Sequence, residues 1–599
     1  MMSNQAPLRQ RLMDVAHGLL APDLVIKGGR LVNVLSREIY PANILIYEDR
    51  VAAVGDLNWC YAPHTKVIEA DGFFVAPGLI DPHVHIESSS VTVTEYVKWI
   101  VPRGVTTVVE DPHEIANILG IHGIKLLFDE AKTLPLNVLL RVPGCVPGLP
   151  QHAETSGAII DVEDTKEMLD WPLAVQLAGD YNARLILEKN PELLQKIDAA
   201  IARNLTVGGQ FPGLSEADLN AYVAIGLEDS HVATSVPEVI SQLRNGLRVI
   251  LAPKPFLRQN ADNFGKLAEL MKSQGLDRRR LMLCTDDLQA DGLYRDGHLD
   301  GVIRMAIKQG MDPVIAIQMA TINVAEHLRI ARHIGSVTAG KRANIVILDD
   351  LNEFSVDSVI VSGQLVARNG VLLESPDLPE FPQQAKQTIR LDPSVLWSDL
   401  PIRVDSDEQK VKVRLLHAKV PKTVTYEELD VVDGMVQPDQ SRDILSMAVF
   451  DRHTQSGRIG KVFVHGTGIK DGAMASSVCH DAHNLFVIGT DYRSMAVAVN
   501  AVIQSQGGLA AVWRGQLVGQ IELPIAGLMS QAPLSEIARQ FTRFEQEILR
   551  KKLQCQLGDN ALSYLCVMLS LANIPHWGVS DQGLINSASL TRVDSIVRS

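Results

Sequence analysis

The sequence predicts an α/β chain built on a (β/α)8 barrel, with a small composite β-sandwich domain and a C-terminal α/β domain. Three observations predict this. Apolar strand-like runs alternate with helical stretches over roughly 250 residues, the usual length of such a barrel. The segments on either side share a rhythm of short strands and turns. The chain is 599 residues long, which at about 150 residues per domain leaves room for more than the barrel.

The elements follow in order. Residues 1–22 mix Arg9, Arg11 and Asp14 into a short apolar stretch and read as an N-terminal extension, without a signal-peptide core. Residues 23–76 carry the β-type runs Leu24-Val25-Ile26 and Asn43-Ile44-Leu45-Ile46, broken by Gly28-Gly29 and Gly55. Residues 77–334 alternate runs such as Val105-Thr106-Thr107-Val108-Val109, Ala174-Val175-Gln176-Leu177 and Leu247-Arg248-Val249-Ile250-Leu251 with helices such as 191–203, so chemistry is expected at strand C-terminal ends. Residues 335–375 return to short strands, and Val359-Ile360-Val361-Ser362-Gly363 echoes the N-terminal flank, so the two flanks are expected to form one β domain. In 376–404, Pro376, Pro379, Pro382, Pro393 and Pro401 interrupt both periodicities and mark a linker. Residues 405–599 make the last domain.

Charged residues are 21% and apolar ones 46%, as in ordinary globular proteins, and the net charge is −14. That balance disfavours nucleic acid or an anionic membrane as partner and leaves a small-molecule substrate. No run approaches a membrane span. Six scattered cysteines form no C-x-x-C pair, which points to a reducing, cytoplasmic setting. Gly466-Thr467-Gly468 followed by Gly472 fits neither nucleotide-binding glycine spacing, so nucleotide cofactors are not expected.

The sharpest signal is Pro77-Gly78-Leu79-Ile80-Asp81-Pro82-His83-Val84-His85. On a strand, His83 and His85 project from one face, as two ligands of one cation require. Alone, the pair is equally compatible with a structural origin. Its context resembles the start of an amidohydrolase-superfamily barrel. Asp111-Pro112-His113-Glu114, Glu154-Thr155-Ser156-Gly157, Cys284-Thr285-Asp286-Asp287 and Gly297-His298-Leu299-Asp300 resemble the adenine deaminase family in particular. So do His465-Gly466-Thr467-Gly468, Ser477-Val478-Cys479-His480-Asp481-Ala482-His483-Asn484 and Pro524-Ile525-Ala526-Gly527-Leu528-Met529 in the C-terminal region.

The resemblance implies a metal-dependent hydrolase barrel that converts adenine and water to hypoxanthine and ammonia in purine salvage, with a divalent metal, Mn2+ or Fe2+ ahead of Zn2+. A bound cation acidifies water for attack on C6, and a carboxylate or imidazole shuttles protons. His83, His85 and Asp286 would be the metal ligands. Asp286 and His231 would be the catalytic groups, Asp286 as proton acceptor and His231 as a group that orients water or polarises substrate. Plainer alternatives are a helix N-cap for Asp286 and a structural histidine for His231.

Several family positions differ. Gly179, in Gln176-Leu177-Ala178-Gly179-Asp180, stands where the family has a metal-bridging Glu, and Asp180 would face away on a regular strand. Gln210 replaces an imidazole ligand and is a weak substitute for it. His231 survives in Asp229-Ser230-His231-Val232 without its usual acids, and Gln289 replaces a further His. One metal per barrel is therefore expected, with three protein ligands and open positions. A second site at His480, Asp481 and His483 competes with capping or domain-interface hydrogen bonds as the role of those residues. A homodimer is expected. The alternatives to adenine deamination are a one-metal amidohydrolase for another heterocycle or cyclic amide, and a non-catalytic family member.

Overall fold

The computed structural model describes residues 5–57, 60, 62–179, 183–210, 213–392, 394–405, 407–558, 560–573 and 576–598. Eight parallel strands form the barrel: Leu79–Val84, Val105–Glu110, Asn137–Val142, Ala174–Leu177, Thr206–Val207, Asp229–Ser230, Arg248–Leu251 and Leu281–Leu283. The first five pair in chain order and the last three form a second ladder. The Glu228 N–H donates to the Val207 carbonyl at 2.8 Å and joins the two, while the Asp286 N–H donates to the His83 carbonyl at 3.1 Å and closes the last strand onto the first. The strands are short and almost wholly buried because helices cover one side and the barrel interior the other. Helix starts follow sequence signals: Asp161 forms a capping box with Asp164, and Asn190 caps the helix Pro191–Ala202 with proline in its first turn.

The two flanks pair as one nine-stranded mixed sheet. Phe74–Pro77 lies parallel to Leu24–Asn33 and antiparallel to Ile345–Asp350, so strands from before and after the barrel are neighbours. Alternation along its strands makes two apolar faces. Ile26, Ile44, Ile46 and Ile345 fill one, and Val25, Leu45 and Ala52 on the other receive Leu12 and Val15 from the helix Gln5–Ala16.

The C-terminal region is a nine-stranded sheet covered by the helix Tyr492–Gln504, with a separate three-stranded sheet formed by Trp577–Ser580, Gly583–Asn586 and Thr591–Val593. The proline-rich stretch before it packs rather than hangs free. Ile389 and Leu400 are buried in the core of the C-terminal sheet, and Asn500 bonds both backbone groups of Val395. Prolines there break periodicity without preventing burial. The C-terminal region sits on the strand ends of the barrel: the Ser530 N–H donates to the Ser90 carbonyl at 2.9 Å, and Asp581 accepts the Thr155 N–H at 2.8 Å and hydroxyl at 2.7 Å. Among the described residues, no helix is long and apolar enough to cross a membrane.

Candidate active site

The first strand delivers His83 and, just past its end, His85 to the same side, with their Nε2 atoms 3.2 Å apart. Asp286 follows the last strand in a left-handed conformation (φ +57°) that turns its carboxylate inward, with Oδ1 3.3 Å from His83 Nε2 and 3.6 Å from His85 Nε2. The helix after this turn is capped at Gln289, so Asp286 is not an N-cap. Asp81 fixes the distance between the two strands: its Oδ1 accepts the His83 N–H at 3.2 Å, and its Oδ2 accepts the Thr285 N–H at 3.1 Å and hydroxyl at 2.8 Å. Burial lifts Asp81 to about 8 against these bonds.

The donor atoms of His83, His85 and Asp286 lie within 4.8 Å of one another. Burial opposes ionisation of Asp286, but hydrogen bonds from His83 and His85 outweigh it and hold the carboxyl well below its usual range. His85 Nδ1 donates to the Asp111 carbonyl at 2.8 Å, which fixes the ring with Nε2 toward Asp286. Two imidazoles and an ionised carboxylate suit one divalent transition cation. Burial, then His231 and Arg141, push His83 down to about 3, so its ring is neutral as a ligand must be.

His231, just beyond the sixth strand, stacks obliquely on His83 with ring centroids 4.1 Å apart, beside the three donors rather than among them. A Cβ on Gly179 would lie 1.8 Å from the Gly208 carbonyl oxygen, so backbone fills the place of an acid there. Gln210 is half-buried, and Asp180 lies outside the described residues. Gln289 faces the cleft at the barrel mouth.

His480, Asp481 and His483 do not converge as one trio. His480 Nε2 lies 2.9 Å from Glu114 Oε1 and His483 Nε2 lies 3.5 Å from Glu114 Oε2, while Asp481 turns to Asn573 and faces His113 at 3.8 Å. The Cys479 N–H points at His483 Nδ1 at 3.3 Å, which leaves that ring's proton on Nε2, toward Glu114. Burial would lower His480, but the Glu114 carboxylate raises it to about 9, making a buried ion pair between barrel and C-terminal region.

Three residues that the sequence reading left without a role shape this site: Asp81, Glu114 and Arg141. Arg141 interrupts the apolar run Leu139-Leu140-Arg141-Val142, the kind of break that signals a buried charge with a partner. Its Nη1 donates to His83 Nδ1 at 2.9 Å, and its Nε is 3.6 Å from Asp111 Oδ2. A cleft of about 400 Å3, lined by Lys254, Thr285, Asp287, Gln289, His298 and Ser563, leads to the strand ends. That volume accommodates a small heterocycle.

Comparison with known proteins agrees with this geometry. Residues 74–366 match the amidohydrolase family and residues 421–590 the adenine deaminase C-terminal domain. The chain is 37% identical over 607 residues to adenine deaminase 3 of Rhizobium meliloti, covering 100% of both chains. It is 35% identical to an adenine deaminase of Clostridium botulinum, covering 96% of this chain and 95% of that one. Against adenine deaminase 1 of Carboxydothermus hydrogenoformans the identity is 36%, over 99% and 98% of the two chains. Identity at this level along the whole length, with the paired histidines and Asp286 assembled at the strand ends, places the chain in the adenine deaminase family of amidohydrolases.

Proposed function

We propose that the chain hydrolyses adenine to hypoxanthine and ammonia, with one divalent cation held by His83, His85 and Asp286. The observation that carries this reading is the convergence of those three donors, in a chain related to adenine deaminases over its full length. When bound, such a cation lowers the pKa of a coordinated water and supplies hydroxide near neutral pH. Imidazole and carboxylate donors admit Mn2+, Fe2+ and Zn2+ alike, and the family resemblance puts Mn2+ or Fe2+ ahead of Zn2+.

The remaining work falls to the chain. Water adds across C6 and N1, its oxygen bonding C6 and one of its protons passing to N1; its second proton passes to N6, the C6–N6 bond breaks, ammonia leaves and C6=O forms. Asp286, kept ionised by two imidazoles, is the acceptor for the proton that water loses, and returns it to the leaving nitrogen. His231 lies against His83, where it orients the water or polarises the substrate. Asp81 and Thr285 hold the first and last strands at the spacing these groups need.

The sheet pairings support a division into 23–76 with 335–375, a barrel over 77–334, a packed connection over 376–404 and a C-terminal domain over 405–599. All six cysteines are free, as suits the cytoplasm. Sedimentation velocity reads whether the chain is the homodimer expected of it.

The test is ammonia release from adenine by protein supplied with Mn2+ or Fe2+, beside a His83→Ala control. Turnover that disappears in the control supports the proposal. A folded, metal-loaded protein that releases no ammonia from adenine overturns it, and a panel of other heterocycles and cyclic amides then identifies the substrate.

A further inference from the structure

Arg141 lies in the third barrel strand, and its side chain is fully buried inside the barrel. The guanidinium reaches His83 Nδ1 and approaches Asp111. Its other terminal nitrogen occupies space that only glycine at 208 leaves open, since a Cβ there would be 2.4 Å from Nη2. Across the same space, Gly179 presents no side chain and meets the Gly208 backbone. Beside His83, the barrel therefore holds a guanidinium against the Gly179 and Gly208 backbone, with the carboxylates of Asp111 and Asp229 on its flanks.

We propose that Arg141 is a built-in cation beside the ligand His83, and that it limits how tightly the barrel holds its single metal. The proposal rests on the one-cation reading above. Two physical effects carry it. A buried guanidinium in contact with a ligand repels a divalent ion through a medium that screens poorly. By donating to Nδ1, Arg141 also leaves the proton of the neutral His83 ring on Nε2, the atom that faces Asp286. A metal at Nε2 must displace that proton, and Arg141 must then release Nδ1. Arg141 and the metal compete for one imidazole.

The test uses the full chain with Mn2+ alone, reading stoichiometry by elemental analysis after dialysis and affinity by competition with a chelating dye. One equivalent is expected for the unaltered protein. Arg141→Gln, which keeps the side chain polar and removes the charge, should bind Mn2+ at least tenfold more tightly, whereas Arg141→Lys should stay within about threefold of the original. Asp111→Asn should move the other way and weaken binding, because it removes the carboxylate that faces Arg141 and leaves the Asp111 carbonyl on His85 intact. Opposite shifts from two neighbours separate charge from general disruption, and Asp111→Asn carries the test if Arg141→Gln does not fold. Unchanged or weaker binding in folded Arg141→Gln, or tighter binding in Asp111→Asn, overturns the proposal. If His83→Ala binds Mn2+ as well as the unaltered protein does, the one-cation reading itself fails, whatever the Arg141 variants show.

Discussion

Replacing His480 with Gln tests the ion pair that ties the C-terminal region to the barrel. His480 lies against Glu114 at 2.9 Å, with both side chains buried. Burial disfavours its protonation, yet the carboxylate outweighs this and moves it from 6.5 to about 9. A folded-state pKa above the unfolded value contributes stability that is fully present below pH 6.5 and is lost as pH rises through about 9. At 1.36 kcal/mol per pH unit the displacement corresponds to about 3 kcal/mol. In a cooperative unit of roughly 150–250 residues that is a melting shift of about 6–12 °C. Asp81, at about 8, and Lys422, lowered by burial to about 7, titrate in the same range. The informative quantity is therefore the difference between parent and variant. Thermal unfolding followed by circular dichroism should show a gap that is widest at pH 6, smaller at pH 8 and nearly closed at pH 9.5. A gap that is constant with pH, or that widens toward pH 9.5, would refute the reasoning.

Three further outcomes are expected. Gly179→Ala should destabilise the barrel by about 3 kcal/mol or more, since its Cβ meets the Gly208 carbonyl at 1.8 Å and backbone must move; an unchanged melting temperature would contradict the close approach. Asp81→Asn sets an amide N–H2 against backbone and hydroxyl donors from His83 and Thr285, so chelator competition should read at least a tenfold loss of Mn2+ affinity. Mn2+ at about 100 times its Kd should stabilise the protein by about 2.7 kcal/mol, and His83→Ala should abolish that gain in the same melting assay.

The barrel and the convergence of His83, His85 and Asp286 were legible in the sequence because both depend on local spacing. Two histidines separated by one residue on a strand share a face wherever the strand lies, and a Thr-Asp after the final strand of a barrel falls at its mouth. Strand and helix alternation, with capping residues such as Asn190 before Pro191, marked the elements in the same way. Arg141 and Glu114 were not assigned because their roles come from tertiary neighbours. Glu114 gains its meaning from His480, more than 300 residues away in the chain, and Arg141 from the missing side chain of Gly208. The trio of His480, Asp481 and His483 divided for a related reason. The turn that carries them aims both imidazoles at Glu114 and the carboxylate toward Asn573.

The difference at Gly179 belongs to one packing arrangement with Gly208 and Arg141. The fourth and fifth strands approach closely enough at Gly179 and Gly208 that a side chain at 179 collides with backbone. The same absence of a Cβ at 208 admits the guanidinium, which then contacts His83. A glycine at 179 and an arginine at 141 leave this side of the barrel more positive than an acid at 179 would. Asp229, accepting from Gln176 and His327, is a fixed acid on this side and is lowered to about 2: burial opposes this, and His327 and Arg141 outweigh it. Asp81 and Thr285, by contrast, lock the first and last strands together without any contribution from the fourth or fifth. The two halves of the barrel mouth are thus anchored separately: Asp81 and Thr285 tie together the strands that carry His83, His85 and Asp286, while Arg141 packs against Gly208 on the other side.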